Sequence, residues 1–156
     1  MRTARTFIGL REVPGPKSNP RIVDMLVKLK AWWKDDATPW CGVFVAYVMQ
    51  DIGQPIPKDW MRAKAWADWG SRLLPDRLSK GAVLVFGREG GGHVGFYEGE
   101  DATHYHVLGG NQSDAVNVSR IAKTRLLASR WPKGEPVIGG PVRLKANGAP
   151  VSGGEA

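Results

Sequence analysis

The chain predicts an α+β fold with an antiparallel sheet, and three observations carry it. Between residues 20 and 70 apolar side chains recur at helical spacing, whereas beyond Pro75 they gather into short runs separated by turn residues. Helices first and strands afterwards is the order of segregated layers, not of alternating βαβ units. At 156 residues the chain makes one domain, and a single cysteine leaves no internal disulfide to form.

Residues 1–19 read as an N-terminal segment closing in the loop Val13-Pro14-Gly15-Pro16-Lys17-Ser18-Asn19-Pro20. Asn19 caps and Pro20 opens a helix with Ile22, Val23, Leu26, Leu29 and Trp33 on one face, ending near Lys34-Asp35-Asp36. Thr38 and Pro39 repeat the signal for a second helix, running to about Ile52 and stopped by Gly53. Apolar nearly all round from Val43 to Met49, it is the central buried helix. A third helix is expected over residues 59–69, with Trp60, Trp66 and Trp69 as core residues. The continuous apolar run Ala82-Val83-Leu84-Val85-Phe86 predicts a central strand. Three further strands are expected at His93–Glu98, His104–Leu108 and Val116–Ile121. Residues 1–132 make up the domain. Residues 133–156 are a tail rich in Gly and Pro, expected to be flexible from Ala146 to Ala156.

Lys and Arg total 22 against 15 Asp and Glu, a net charge of +7 that favours polyanionic partners. The basic residues are scattered, and no basic helix or nucleic-acid motif stands out, so nucleic acid is not the expected partner. Basic residues near Met1 are followed by no apolar run of the kind a secretory signal has, and nothing approaches the ~18 apolar residues of a membrane span. A monomer made in the cytoplasm, without stable membrane insertion, is expected.

The chemistry centres on Cys41. A lone cysteine is more often a small buried hydrophobe, but this one falls in the first turn of a helix. There the unpaired N–H groups and the positive end of the dipole favour an anion, and therefore the nucleophilic thiolate. A nucleophile of this kind needs a base, and His93 supplies one in Gly90-Gly91-Gly92-His93-Val94-Gly95. Pairing Tyr97 with Tyr105 in the following hairpin would set His93 opposite Gly109 and bring Asn111 onto the His93 face. An amide there accepts a hydrogen bond from the imidazole without adding charge. Gly91, Gly92, Gly95, Gly109 and Gly110 would leave side-chain-free space for an extended substrate.

Four blocks together, W-C-G-x-F-V, G-A-V-L-V-F, G-H-V-G-F and L-G-G-N-Q-S, resemble the papain-like cysteine peptidoglycan hydrolases of the NlpC/P60 and CHAP superfamily. The nearest likeness is to its phage and prophage endolysin-type branch, and it spans residues 8–132. The resemblance implies a papain-like fold with Cys41 as nucleophile, His93 as general base and acid, and Asn111 as the orienting group. It implies peptidoglycan as substrate, no cofactor or metal, and action on the wall after release from the cell. Many CHAP domains have a Gln before the nucleophile and an acidic residue two positions before the Asn. Trp40 and Gly109 stand there instead, leaving the Cys41 N–H as the oxyanion donor. Glu12, Trp40, Gly92 and Gly110 are the candidate substrate-binding residues, and Asp36 a further site-lining candidate.

Two rivals compete with the cysteine reading. His104 and His106, two apart on a strand, could join His93 or Cys41 in a zinc amidase site, although no H-E-x-x-H or paired-Cys spacing is present. A non-catalytic wall-binding module would suit the tryptophans and the positive charge, but it leaves the cysteine's position unexplained.

Overall fold

The computed structural model describes residues 1–14, 17–36 and 38–146. Its helices are α1 (Arg2–Arg5), α2 (Pro20–Lys28) and α3 (Cys41–Asp51). Six strands follow: β1 (Ser71–Arg72), β2 (Val83–Arg88), β3 (Gly91–Glu100), β4 (His104–Gly109), β5 (Asn117–Ala122) and β6 (Leu126–Trp131). They form one antiparallel sheet in the order β1-β6-β2-β3-β4-β5. The α+β class is as expected, and no helix among the described residues is long and apolar enough to cross a membrane.

The sheet is buried on both faces. Val83, Val85, Val94, Phe96 and Leu108 pack with Val43, Phe44 and Val45 of α3, and with Ile22, Met25 and Leu26 of α2. On the other face Leu84, Phe86, Tyr97, Tyr105, Val107 and Ile121 gather with Leu73 and Leu78 of the link before β2. This two-sided burial is why β2 reads as an unbroken apolar run.

Several elements depart from expectation. Helix α2 ends at Lys28 because Lys30 adopts a left-handed backbone, φ 59°. Trp33 therefore lies beyond the helix and stacks on Trp60, with ring centroids 5.9 Å apart. The third helix shrinks to a 3-10 stretch, Ala63–Asp68. The indole N–H groups of Trp66 and Trp69 bind the carbonyls of Trp60 and Pro55 at 3.0 and 2.9 Å, so the Trp66 side chain takes a backbone acceptor from this segment. Strand β6, not foreseen, pairs with β2 and completes its outer edge.

The β3–β4 hairpin is also displaced. Phe96 pairs with Leu108 and Tyr97 with Val107, two residues away from the expected Tyr97–Tyr105 register. A bulge between Tyr97 and Gly99 then resets the pairing to Gly99–His106 and Glu100–Tyr105. A two-residue shift preserves which face each side chain takes.

The expected boundary at residue 132 cuts through packed structure. The Glu100 N–H donates to the Val142 carbonyl at 2.7 Å, the Leu144 N–H to the Glu100 carbonyl at 2.8 Å, and the Val142 N–H to the Tyr97 hydroxyl at 3.0 Å. Residues 142–144 are thus fastened to the bulged end of β3. Beyond Ala146, the stretch expected to be flexible lies outside the described residues.

The turn of this hairpin is held by Asp101. Its carboxylate accepts from Arg120 Nε and His106 Nε2, both at 2.8 Å, and from the Thr103 and His104 N–H groups at 3.0 and 3.1 Å. These donors, Arg120 foremost, hold its carboxyl well below the usual carboxylate range. A depressed pKa contributes stability that is present above the unfolded value near 3.9 and is lost as pH falls below it. Asp101→Asn should therefore lower the melting temperature at pH 7. The gap to wild type should narrow steadily below about pH 4, and thermal melts across that range check it.

Candidate active site

Cys41 is the first residue of α3, and it is 5% exposed. The helix starts two residues later than the Thr38-Pro39 signal indicates. Thr38 N and Oγ1 both donate to Asp35 Oδ1, at 2.8 and 2.9 Å, so the hydroxyl is engaged before the helix begins. Trp40 is the N-cap residue and provides no side-chain acceptor. The N–H groups of the first turn are therefore not consumed by a cap, and that of Gly42 favours the thiolate form of Cys41 instead.

The opposing element is β3. It outruns its partner, since pairing with β4 begins only at Phe96–Leu108, while pairing with β2 continues to Gly91. The Val94 N–H and the His93 side chain both lie by the Cys41 sulfur and act on it to favour the thiolate. Burial pushes the thiol pKa up, but the neighbouring His93, with the N–H groups of Gly42 and Val94, brings it below the ordinary thiol value. The ring of His93 is fully buried and stacked on Phe86 at 6.5 Å.

The partner of His93 Nε2 is Gln112, whose Oε1 lies at 2.9 Å. Asn111, expected in this role, does not hold the position. Its backbone is left-handed, φ 59°, which breaks the strand alternation that would have carried its side chain to the His93 face. The next residue turns inward in its place. Gln112 is fully buried, and its Nε2 donates to the Val107 carbonyl (3.1 Å), the Asn117 carbonyl (2.8 Å) and Asn117 Oδ1 (2.9 Å). Asn117 Nδ2 returns a bond to the Gln112 carbonyl at 2.7 Å. Three acceptors around Nε2 leave only one orientation for the amide, with its oxygen toward the imidazole. His93 Nε2 must then carry the hydrogen, and Nδ1 is the nitrogen left for the thiol. The sequence did contain this signal, for in G-G-N-Q-S two adjacent amides offer the same chemistry.

The glycines serve packing more than substrate access. A Cβ on Gly109 would lie 2.5 Å from Gln112 Oε1 and 3.2 Å from His93 Nε2. One on Gly110 would meet Phe44 Cβ at 2.7 Å and Trp40 Cε3 at 2.9 Å, and one on Gly95 would meet Val107 Cγ1 at 2.5 Å. Gly110 is thus filled by protein and is no substrate subsite. Gly91 and Gly92 remain half-exposed beside His93.

Trp40 and Glu12 also have internal partners. Trp40 is fully buried and donates its indole N–H to Glu12 Oε1 at 2.7 Å, so it cannot form a substrate platform. Burial raises the Glu12 pKa despite that hydrogen bond. Asp36, likewise buried, accepts from the Val13 and Asn19 N–H groups at 2.8 Å each, anchoring the N-terminal loop. His104 and His106 sit by the Asp101 turn at the far end of the hairpin. Among the described residues no three His, Cys, Asp or Glu side chains gather into a metal-binding group.

Comparison with protein-family models returned no match, and comparison with curated proteins returned none.

The hydrogen-bond chain from Asn117 through Gln112 to His93, beside Cys41, makes a measurable statement about the thiol. Gln112→Ala should move the onset of iodoacetamide alkylation of Cys41 toward the free-thiol pH, and cost about 1–3 kcal/mol of stability for the partners left unpaired. Gly109→Ala should act in the same direction by displacing the Gln112 oxygen. Gln112→Glu, which adds a charge that stabilises the imidazolium, should shift the onset to lower pH.

Proposed function

We propose that this protein is a cysteine hydrolase of amide bonds in peptidoglycan, with Cys41 as nucleophile and His93 as base and acid. The observation that carries the reading is the Cys41 thiol set beside an imidazole that favours its thiolate and whose Nε2 is held by the fully bonded amide of Gln112. A buried cysteine acting only as a hydrophobe has no use for that arrangement. The choice of substrate rests on the sequence resemblance to the papain-like peptidoglycan hydrolases, and the papain-like character of the fold belongs to the same reading. So does the setting, a phage or prophage lysis protein that reaches the wall after release.

The chemistry follows from the pair. Transfer of the thiol proton to His93 Nδ1 gives a thiolate–imidazolium pair, stabilised by the N–H groups of Gly42 and Val94. The thiolate adds to the substrate carbonyl, and the Cys41 N–H faces the developing oxyanion. Collapse expels the amine, which takes the proton from Nδ1 and leaves a thioester. His93 then removes a proton from water, which attacks the thioester, releasing a carboxylic acid and restoring the thiol. Gln112 touches none of the reacting atoms and is a positioning residue, a neutral acceptor for Nε2–H throughout.

Purified wall incubated with the protein should gain free amino groups, and mass spectrometry of the released fragments identifies the bond. Cys41→Ala should abolish this, and His93→Ala should reduce it by at least about 10²-fold. His104→Ala and His106→Ala should leave the rate within a few-fold of wild type. Wall hydrolysis that persists in Cys41→Ala would refute the mechanism.

A further inference from the structure

We infer that residues 30–34, where the chain leaves α2, form a docking surface for an anionic lipid bilayer, with Trp32 seated at the headgroup level between two lysines. The inference does not depend on the hydrolase reading and concerns residues to which that reading gives no task.

The segment is fixed to the end of α2 by two main-chain bonds. The Lys30 N–H donates to the Val27 carbonyl at 3.0 Å, and the Ala31 N–H to the Leu26 carbonyl at 2.9 Å. From there burial alternates residue by residue. Leu29, Ala31 and Trp33 are buried, while Lys30, Trp32 and Lys34 face solvent. Trp33 is the anchor, since its ring stacks on Trp60 and the Trp60 carbonyl oxygen lies 2.6 Å from where a Gly42 Cβ would be. Trp32 meets the Trp33 ring edge to face, with centroids 5.3 Å apart. An outward indole is thus held on a rigid base.

Trp32 is 88% exposed, more than any other large apolar side chain among the described residues, and Val27 at the end of α2 is 53% exposed. A single exposed apolar residue is ordinary, and what distinguishes this one is the charge around it. Among the described residues no carboxylate pairs with Lys30 or Lys34, whereas Lys28 is paired with Asp24 at 3.2 Å. Lys34 Nζ donates to the Ala31 carbonyl and keeps its charge. The two acids that follow in the chain are turned to the protein. Asp35 Oδ1 accepts from Thr38, and Asp36 is buried against the Val13 and Asn19 N–H groups. The solvent side of the segment is therefore cationic and aromatic at once.

That combination selects the occupant. An acidic wall polymer would pair with the lysines but offers no apolar phase to take up Trp32 and Val27. A neutral glycan would stack on Trp32 and leave the lysines unused. The interface of an anionic bilayer uses both, because indoles settle at headgroup level and each lysine near the surface adds to the attraction. The contact lies on the bilayer and does not cross it. With the segment already held by Trp33 and two main-chain bonds, little conformational freedom is lost on docking.

Sedimentation with vesicles provides the test. The full chain should bind vesicles of equal parts phosphatidylglycerol and phosphatidylcholine but not phosphatidylcholine alone, and added salt should release it. Lys30→Gln and Lys34→Gln should each weaken binding roughly fivefold. Trp32→Ser should weaken it roughly tenfold, and Trp32→Phe should retain most of it. Bromine-labelled lipid should quench the fluorescence of wild type and far less that of Trp32→Ser. These variants change exposed groups, so their melting temperatures should match wild type. Equal binding to neutral vesicles, or binding unchanged in Trp32→Ser, would overturn the inference. Absence of binding to the anionic vesicles would overturn it too, and retention by lipid-free wall would then assign the surface to a wall polymer. The vesicles carry no peptidoglycan, so the outcome is separate from that of the hydrolase reading.

Discussion

Gln112 is the point at which three strands are tied together. Its amide nitrogen is bonded to the end of β4 at Val107 and to the start of β5 at Asn117, while its oxygen meets His93 on β3. Because each acceptor around the nitrogen is itself fixed, the amide cannot reverse, and the imidazole is confined to one tautomer. Ser119 adds a further bond, donating its hydroxyl to Asn117 Oδ1 at 2.6 Å. The N-terminal segment closes the loop from outside: Gly9 donates to Val116, Glu12 to Asp114, and Val116 to Leu10, at 2.8–2.9 Å. The proton position that the thiol depends on is set by main-chain pairing well away from it.

The second constraint is close approach. The N-terminus of α3 meets the stretch of β3 that runs past β4 only because side chains are missing where elements touch. Gly42 lets the Trp60–Met61 carbonyls lie on the helix, Gly110 admits Trp40 and Phe44, and Gly109 leaves room for the His93–Gln112 bond. Adding a methyl at any of them would force main chain or ring atoms apart, at about 1–3 kcal/mol for an overpacked core. Such burial has an electrostatic cost too, since a desolvated thiol resists ionisation. The neighbouring His93, with the Gly42 and Val94 N–H groups, outweighs it.

The two ends of the β3–β4 hairpin have separated tasks. At one end β3 runs past β4 and presents His93 to the helix. At the other, the bulge at Glu98 and the Asp101–Arg120–His106 cluster secure the turn, with Arg5 of α1 paired to Glu98 and residues 142–144 paired to Glu100. The three histidines of the chain divide accordingly: one faces the cysteine, and two belong to the ionic lock of the turn.

Much of this was legible in the sequence, for physical reasons that act locally. Asn19 and Pro20 specify a helix start through one cap bond and one fixed φ, and the Ala82–Phe86 run signals two-sided burial whatever surrounds it. Cys41 in a first turn, and His93 among glycines, could likewise be picked out from their immediate neighbours. Other features depended on contacts distant in the chain. The length of the third helix was decided by where Trp66 and Trp69 found acceptors, and the hairpin register by a bulge with no glycine-turn signature. Strand β6 became a strand because β2 had a free edge to fill. Between Asn111 and Gln112 the residue types could not choose, since both are amides. Only the left-handed backbone at Asn111, together with Asn117 waiting on β5, turned Gln112 toward the imidazole.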